Sequence, residues 1–345
     1  MPSQARRGNE AVSTPVAVEV WRDGRVESRH RVRACVADAA GRIRLAVGDI
    51  DEPVFPRSAV KPFLALALIE SGAADAFGVG DAELALACAS HGGEPAHVRL
   101  VEAWLARLGL AEGCLACGPH PPTYPPAAAA LLRAGEAPRR VHNNCSGKHT
   151  GMLAAALHQG LSTEGYEHEA HPIQRYCAGA LAELAGLDRL LPPGIDGCSL
   201  PNHPMPLRSL ARAAARLVDH AGLSPARAAA LQRIGTAMRA HPEMVAGTGR
   251  CCTAVMRSLP GVLAKTGAEG VYLAALPAQG LGVVLKVEDG ATRAAETVLL
   301  ALLDRLQPLD DSARAELAPF VRPTLINYAG TTVGHVAMAP GWPPG

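Results

Sequence analysis

Apolar and polar residues alternate along the first fifty positions. Segments 16–21, 25–36 and 42–48 follow a period of two and are separated by Asp23-Gly24 and Ala40-Gly41. That pattern half-buries a strand, and the glycine pairs are turn signals, so the chain is predicted to open as an antiparallel meander. From Ser58 to about Ala240 the spacing changes. Ala- and Leu-rich stretches repeat every three to four residues, predicting helices over 58–71, 81–89, 95–108, 125–134, 148–159, 171–186, 207–221 and 225–239. Short β-type runs return at 261–266, 270–276 and 281–287, followed by an amphipathic helix over 291–306 and a last strand over 331–338.

Strands at both ends around a helical middle predict an α+β fold, in which one antiparallel sheet is assembled from the two ends and the helical region packs beside it. The corresponding division is a polar tail (1–14), a sheet domain (15–57 with 259–345) and a mainly helical region (58–258). An active site is expected between sheet and helices.

Composition narrows the function classes. Of 345 residues 48% are hydrophobic, which removes the disordered class. The 33 basic and 32 acidic side chains nearly cancel, without long blocks of one sign, so nucleic acid and anionic membrane are poor partners. No apolar run approaches the length of a membrane span, and the polar opening MPSQARRGNE lacks the apolar core of a secretory signal; a cytoplasmic protein is expected. Nine cysteines, an odd number in a large chain, read as reduced thiols. Cys114 and Cys117 form a lone C-x-x-C with no second pair at zinc-finger spacing, and a redox or metal role competes with a purely structural one.

Chemistry concentrates in a few segments. Ser58-Ala59-Val60-Lys61 is an S-x-x-K at the start of the first predicted helix, one turn apart and so on one face. A serine hydroxyl needs a base, and a neutral amine is one solution. An ordinary lysine is neutral in only about one molecule in 2,500 at pH 7, so burial or a second cation must lower its pKa. Lys265-Thr266-Gly267, on a predicted strand of the closing sheet, supplies that cation; S-x-x-K with K-T-G is the pairing of serine β-lactamases and penicillin-binding proteins. The plainer alternative is a helix-capping Ser58 and a solvated Lys61. Ser90, His91, Gly92 and Gly93 end an apolar helix in a polar turn, fit either to bind a small ligand or simply to stop the helix. The stretch 142–151 departs from a phosphate loop, with His142 where glycine is needed and His149 after the lysine. Cys145 and Lys148 lie one turn apart there. Cys198 follows Asp196-Gly197 in a second polar loop near Asn202 and His203, and two such thiols could bind zinc or be inert core residues.

Together FPRSAVKPF, ASHGGE, NNCSGKHTGM, DGCSLPN, MVAGTGR and AKTGAEG resemble the bacterial asparaginase II family, the class 3 L-asparaginases, over nearly all of residues 15 to 338. The resemblance implies hydrolysis of L-asparagine to L-aspartate and ammonia on a fold similar to serine β-lactamases and glutaminases. It implies two serine-lysine pairs, Ser58 with Lys61 and Ser90 with Lys265. It also implies one Zn2+ per chain held by Cys145, Lys148 and Cys198, polar site residues at Arg57 and Asp196, and a homodimer; with His91 of the polar turn, these two are the expected substrate-binding residues. A glutaminase or a penicillin-recognising serine hydrolase on the same fold is the near alternative, since one methylene discriminates by only ~1 to 3 kcal/mol. A non-catalytic zinc or redox module built on Cys114, Cys117, Cys145 and Cys198 is the distant one, and it would leave Ser58, Lys61 and Lys265 without purpose.

Overall fold

A computed structural model describes residues 13–343, so all of the predicted polar tail except Ser13 and Thr14 lies outside the described residues. The strands are β1 (Val16–Arg22), β2 (Arg25–Asp38), β3 (Ile43–Val47), β4 (Gly194–Ile195), β5 (Pro201–Asn202), β6 (Leu263–Thr266), β7 (Val271–Leu276), β8 (Leu281–Val287), β9 (Thr324–Ile326) and β10 (Thr332–Met338). The main sheet runs β6-β7-β8-β2-β1-β10-β9, with β3 also paired to β2; β4 and β5 form a separate two-stranded ribbon. Every pairing is antiparallel. The chain ends thus meet in one sheet, as the pattern predicts.

The long β2 joins the two ends. Its first half pairs with β1, and its second half is wedged between β3 and β8, with Val36 opposite Val283 and Ala34 opposite Leu285. Along β7 every residue is buried, so both faces of the sheet are covered there. The helices Thr292–Leu306 and Leu207–Ala215 both pack on β8. The second comes so close that a Cβ on Gly282 would lie 2.1 Å from the Ala211 carbonyl oxygen. Only glycine allows that approach.

The first predicted helix is the main departure. Residues 57–60 form a 3-10 turn, followed by two short helices, Lys61–Leu64 and Leu66–Glu70. Pro62 has no N–H to give the Ser58 carbonyl, which accepts instead from the Lys61 N–H, one residue earlier. Predicted helix 207–221 ends at Ala215. The helices Cys251–Ser258 and Asp311–Val321 and strand β9 were not visible in the periodicity. No helix among the described residues is long and apolar enough to cross a membrane.

Glycine also seats the sheet edge against the Ser58 turn. A Cβ on Gly267, just after β6, would fall 2.7 Å from the Pro56 carbonyl oxygen and 3.3 Å from the Ala59 nitrogen. Gly267→Ala is therefore expected to push β6 away from the Ser58 turn and cost about 1–3 kcal/mol, as overpacking does. Thermal melts check this; a wild-type melting temperature would refute the close approach.

Candidate active site

The site lies where the edge strand β6 faces the helical region. Lys265 projects from β6, Lys61 opens the helix Lys61–Leu64, and Ser90 lies just beyond the helix Asp81–Ala87. All three are buried. The Ser90 hydroxyl sits between the two amines, 3.0 Å from Lys61 Nζ and 2.8 Å from Lys265 Nζ. Lys61 also donates to the Ala89 carbonyl at 2.5 Å and to the Asn144 carbonyl at 3.5 Å, and Lys265 to the Thr266 carbonyl at 2.8 Å. No carboxylate forms a salt bridge with either amine among the described residues.

Burial pulls the Lys265 pKa down to about 7, and the Lys61 charge beside it is the second cause. From sequence, Lys265 is assigned as a helping cation; in the structure its own pKa is lowered. Ser58 stands at the half-buried turn before Lys61, and its hydroxyl makes no hydrogen bond among the described residues. Lys61 therefore reaches Ser90, while the Ser58 hydroxyl has no partner among the described residues.

Arg57, with the unusual φ of 52°, holds Asp196 through Nε at 2.9 Å. Asp196 also accepts from the Gly197 N–H at 2.7 Å and from Asn202 Nδ2 at 3.2 Å. Burial raises the Asp196 pKa, but the Arg57 hydrogen bond and charge outweigh it, leaving a carboxylate below the usual range. Arg57 and Asp196 line a cleft of about 440 Å³ together with Phe55, Ile195, Asn202 and Lys286. His91 is different. It is fully buried, accepts from the Gly93 N–H through Nδ1 at 3.1 Å and bonds the Ser146 hydroxyl through Nε2 at 2.9 Å. Burial, followed by the neighbouring His97, holds its pKa well below normal. Both ring nitrogens of His91 are thus spent inside the fold, where they tie the Ser90 turn to the helix Ser146–His158.

Cys145, Lys148 and Cys198 come together as a second buried cluster. Lys148 Nζ lies 3.0 Å from Cys198 Sγ. The neighbouring Cys198 pulls the Cys145 thiol pKa well below normal against the effect of burial, and Cys145 in turn raises that of Cys198. Burial opposes the charge on Lys148, but the two sulfurs beside it more than compensate. Among the described residues no group of three His, Cys, Asp or Glu side chains could hold a metal, so a site here needs a donor of another kind, such as the Lys148 amine. Two sulfurs and an amine fit the preference of zinc for S and N donors, provided Lys148 gives up its proton. All nine cysteines are free, the C-x-x-C pair included.

Three contributors were missed. Asn144 accepts from Lys61 and from the His91 N–H through its carbonyl, and its side-chain oxygen accepts from the Cys145 thiol at 3.0 Å. His120 Nε2 accepts from the Asn144 N–H at 2.9 Å. The segment 244–250, quoted above only as a family string, supports the Ser90 backbone. Only Asn144 carried a signal, as a neighbour of Cys145.

The mixed α+β fold brings one serine and two lysines together beside a sheet edge. The L-asparaginase II family profile matches residues 18–338, and the chain belongs to that family. No curated protein matches it by sequence. Similar solved structures include Mglu at 16% identity (81% of this chain, 68% of that one, TM-score 0.49). A β-lactamase from Mycobacterium bovis is similar at 15% identity (83% and 94%, TM-score 0.39). Simvastatin synthase from Aspergillus terreus is similar at 13% identity (84% and 91%, TM-score 0.36).

Proposed function

We propose that the protein hydrolyses L-asparagine to L-aspartate and ammonia, with Ser58 as nucleophile and Lys61, Ser90 and Lys265 as the proton-handling group. The observation that carries this reading is the Ser90 hydroxyl held between two buried lysines, one of them with a pKa of about 7. A chain of two amines and a hydroxyl moves a proton without leaving a charge stranded in the interior.

In the first half-reaction Ser58 Oγ bonds to the carboxamide carbon and its proton passes to the Lys61–Ser90–Lys265 group. The C–N bond then breaks, the proton leaves with ammonia, and an aspartyl ester remains on Ser58. In the second half-reaction water adds to the ester carbon and the same group takes its proton, then returns it to Ser58 Oγ as the C–O bond to Ser58 breaks, releasing aspartate and restoring the serine. The backbone N–H groups of Ser58 and Ala268 carry no hydrogen bond among the described residues and are the candidate donors to the oxyanion. Arg57 and Asp196 suit the carboxylate and ammonium of an amino-acid substrate.

A second reading, with Ser90 as the nucleophile, is favoured by its 2.8 Å contact with Lys265. Against it stands burial, since Ser90 is only 7% exposed. Ammonia release from asparagine beside glutamine tests the function. Mapping the trapped aspartyl ester by peptide mass decides between the serines; an ester on Ser90 would exchange their roles.

Cys145, Lys148 and Cys198 are proposed to hold one zinc ion, which when bound would supply positive charge at this buried cluster. Elemental analysis is expected to find one zinc per chain after mild purification, and Cys198→Ser to lower the affinity at least tenfold. Wild-type protein that takes up no zinc would end that assignment. A cytoplasmic homodimer remains the expected form, to be checked by light scattering and by fractionation of cells.

A further inference from the structure

The segment MVAGTGR, residues 244–250, contributes no group to the mechanism above, yet the Ser90 turn is built onto it. The Ser90 N–H donates to the Val245 carbonyl at 2.9 Å. Four residues after Ser90, the Glu94 carboxylate accepts from the Thr248 N–H at 2.6 Å and from the Thr248 hydroxyl at 2.9 Å. From the other side the Thr253 hydroxyl donates to the Gly247 carbonyl at 2.7 Å. His97 completes the connection: Nδ1 accepts from the Glu94 N–H at 3.1 Å, so Nε2 carries the proton it donates to the Glu243 carbonyl at 2.9 Å. Its ring stacks on His91 with centroids 4.9 Å apart.

Gly247 is what this arrangement demands. Its φ is +112°, and a Cβ there would lie 2.5 Å from Glu94 Oε1. A side chain would be strained by the backbone and would strike the carboxylate as well.

We propose that Glu94 is a positioning residue: it latches the 244–250 turn so that the Val245 carbonyl holds Ser90 with its hydroxyl between Lys61 and Lys265. The inference rests on the reading of Ser90 as part of the proton-handling group. With contacts of 3.0 and 2.8 Å to two amines from different elements, a shift of about 1 Å takes Ser90 out of hydrogen-bond range of one of them. Ground-state binding by Arg57 and Asp196 is untouched by such a shift, so the latch acts on kcat.

The test compares Glu94→Ala with Glu94→Gln, which keeps an oxygen for the Thr248 N–H. Glu94→Ala is expected to lower kcat about 10- to 100-fold with KM within about threefold, and Glu94→Gln to stay within about threefold of wild type in both. Hydrogen exchange of the peptide containing Ser90 should accelerate in Glu94→Ala and not in Glu94→Gln. Unchanged kcat and exchange in Glu94→Ala would overturn the proposal, as would a Gln variant as impaired as the Ala variant, or a fall in kcat matched by a rise in KM. If the wild-type protein releases no ammonia from either amide, the proposed function fails, and the exchange measurement still decides the latch.

Discussion

Ser58→Ala is expected to lower kcat for asparagine by about four orders of magnitude, because removing a nucleophile leaves only binding and oxyanion stabilisation. Stability should hardly change. The Ser58 side chain is half-buried and makes no hydrogen bond among the described residues, so its loss should stay within about 0.5 kcal/mol. Ser90→Ala should behave differently. It breaks the connection between Lys61 and Lys265 but leaves Ser58 in place, and loss of a proton-transfer partner is worth about 10²- to 10⁴-fold. Single-turnover kinetics on both variants check the assignment. A Ser58→Ala enzyme that keeps wild-type acylation would remove Ser58 from the chemistry and hand the attack to Ser90.

The fold was largely legible because its strands obey local rules. Alternation set β1 and β2 to within two residues, and the 281–287 run coincides with β8. What the pattern missed depends on contacts it does not encode. The ribbon of β4 and β5 is two residues per strand, too short for any period. The break after Ser58 was legible in Pro62, but the Ala/Leu spacing downstream outweighed it.

The site was legible as residue types and obscure as pairings. S-x-x-K suggested that Lys61 serves Ser58 because both lie one turn apart. The fold also brings Lys61 to a serine 29 positions away, which Lys265 reaches from 175 positions away. Nothing local in sequence encodes that meeting. His91 shows the converse, since its residue type advertises chemistry while both of its nitrogens are consumed by Gly93 and Ser146.

Lys265→Met is expected to abolish most activity while making the protein more stable, because catalysis and folding want opposite things from this side chain. An ordinary lysine binds its proton at about pH 10.4, whereas burial and the Lys61 charge hold Lys265 to about 7. The folded state therefore penalises the protonated amine. Below pH 7 both folded and unfolded chains carry the proton, and the penalty is at its full size. Between about pH 7 and 10.4 the unfolded chain binds more protons than the folded one, so wild-type stability rises with pH relative to a variant lacking the amine. A difference of about three pKa units sets a ceiling of about 4 kcal/mol on that penalty. Methionine removes the charge at similar volume but gives up the contacts to Ser90 and Thr266, so a net gain of about 1–3 kcal/mol is expected at pH 6, shrinking by pH 9. The same titration sets the wild-type activity profile: kcat/KM should rise through about pH 7 as Lys265 becomes able to accept a proton. Urea melts of both proteins at pH 6 and pH 9, beside the wild-type pH–rate profile, measure both consequences. A Lys265→Met protein less stable than wild type at pH 6 would show that its hydrogen bonds outweigh the cost of burying the charge, and a profile flat between pH 6 and 8 would separate Lys265 from the proton transfer.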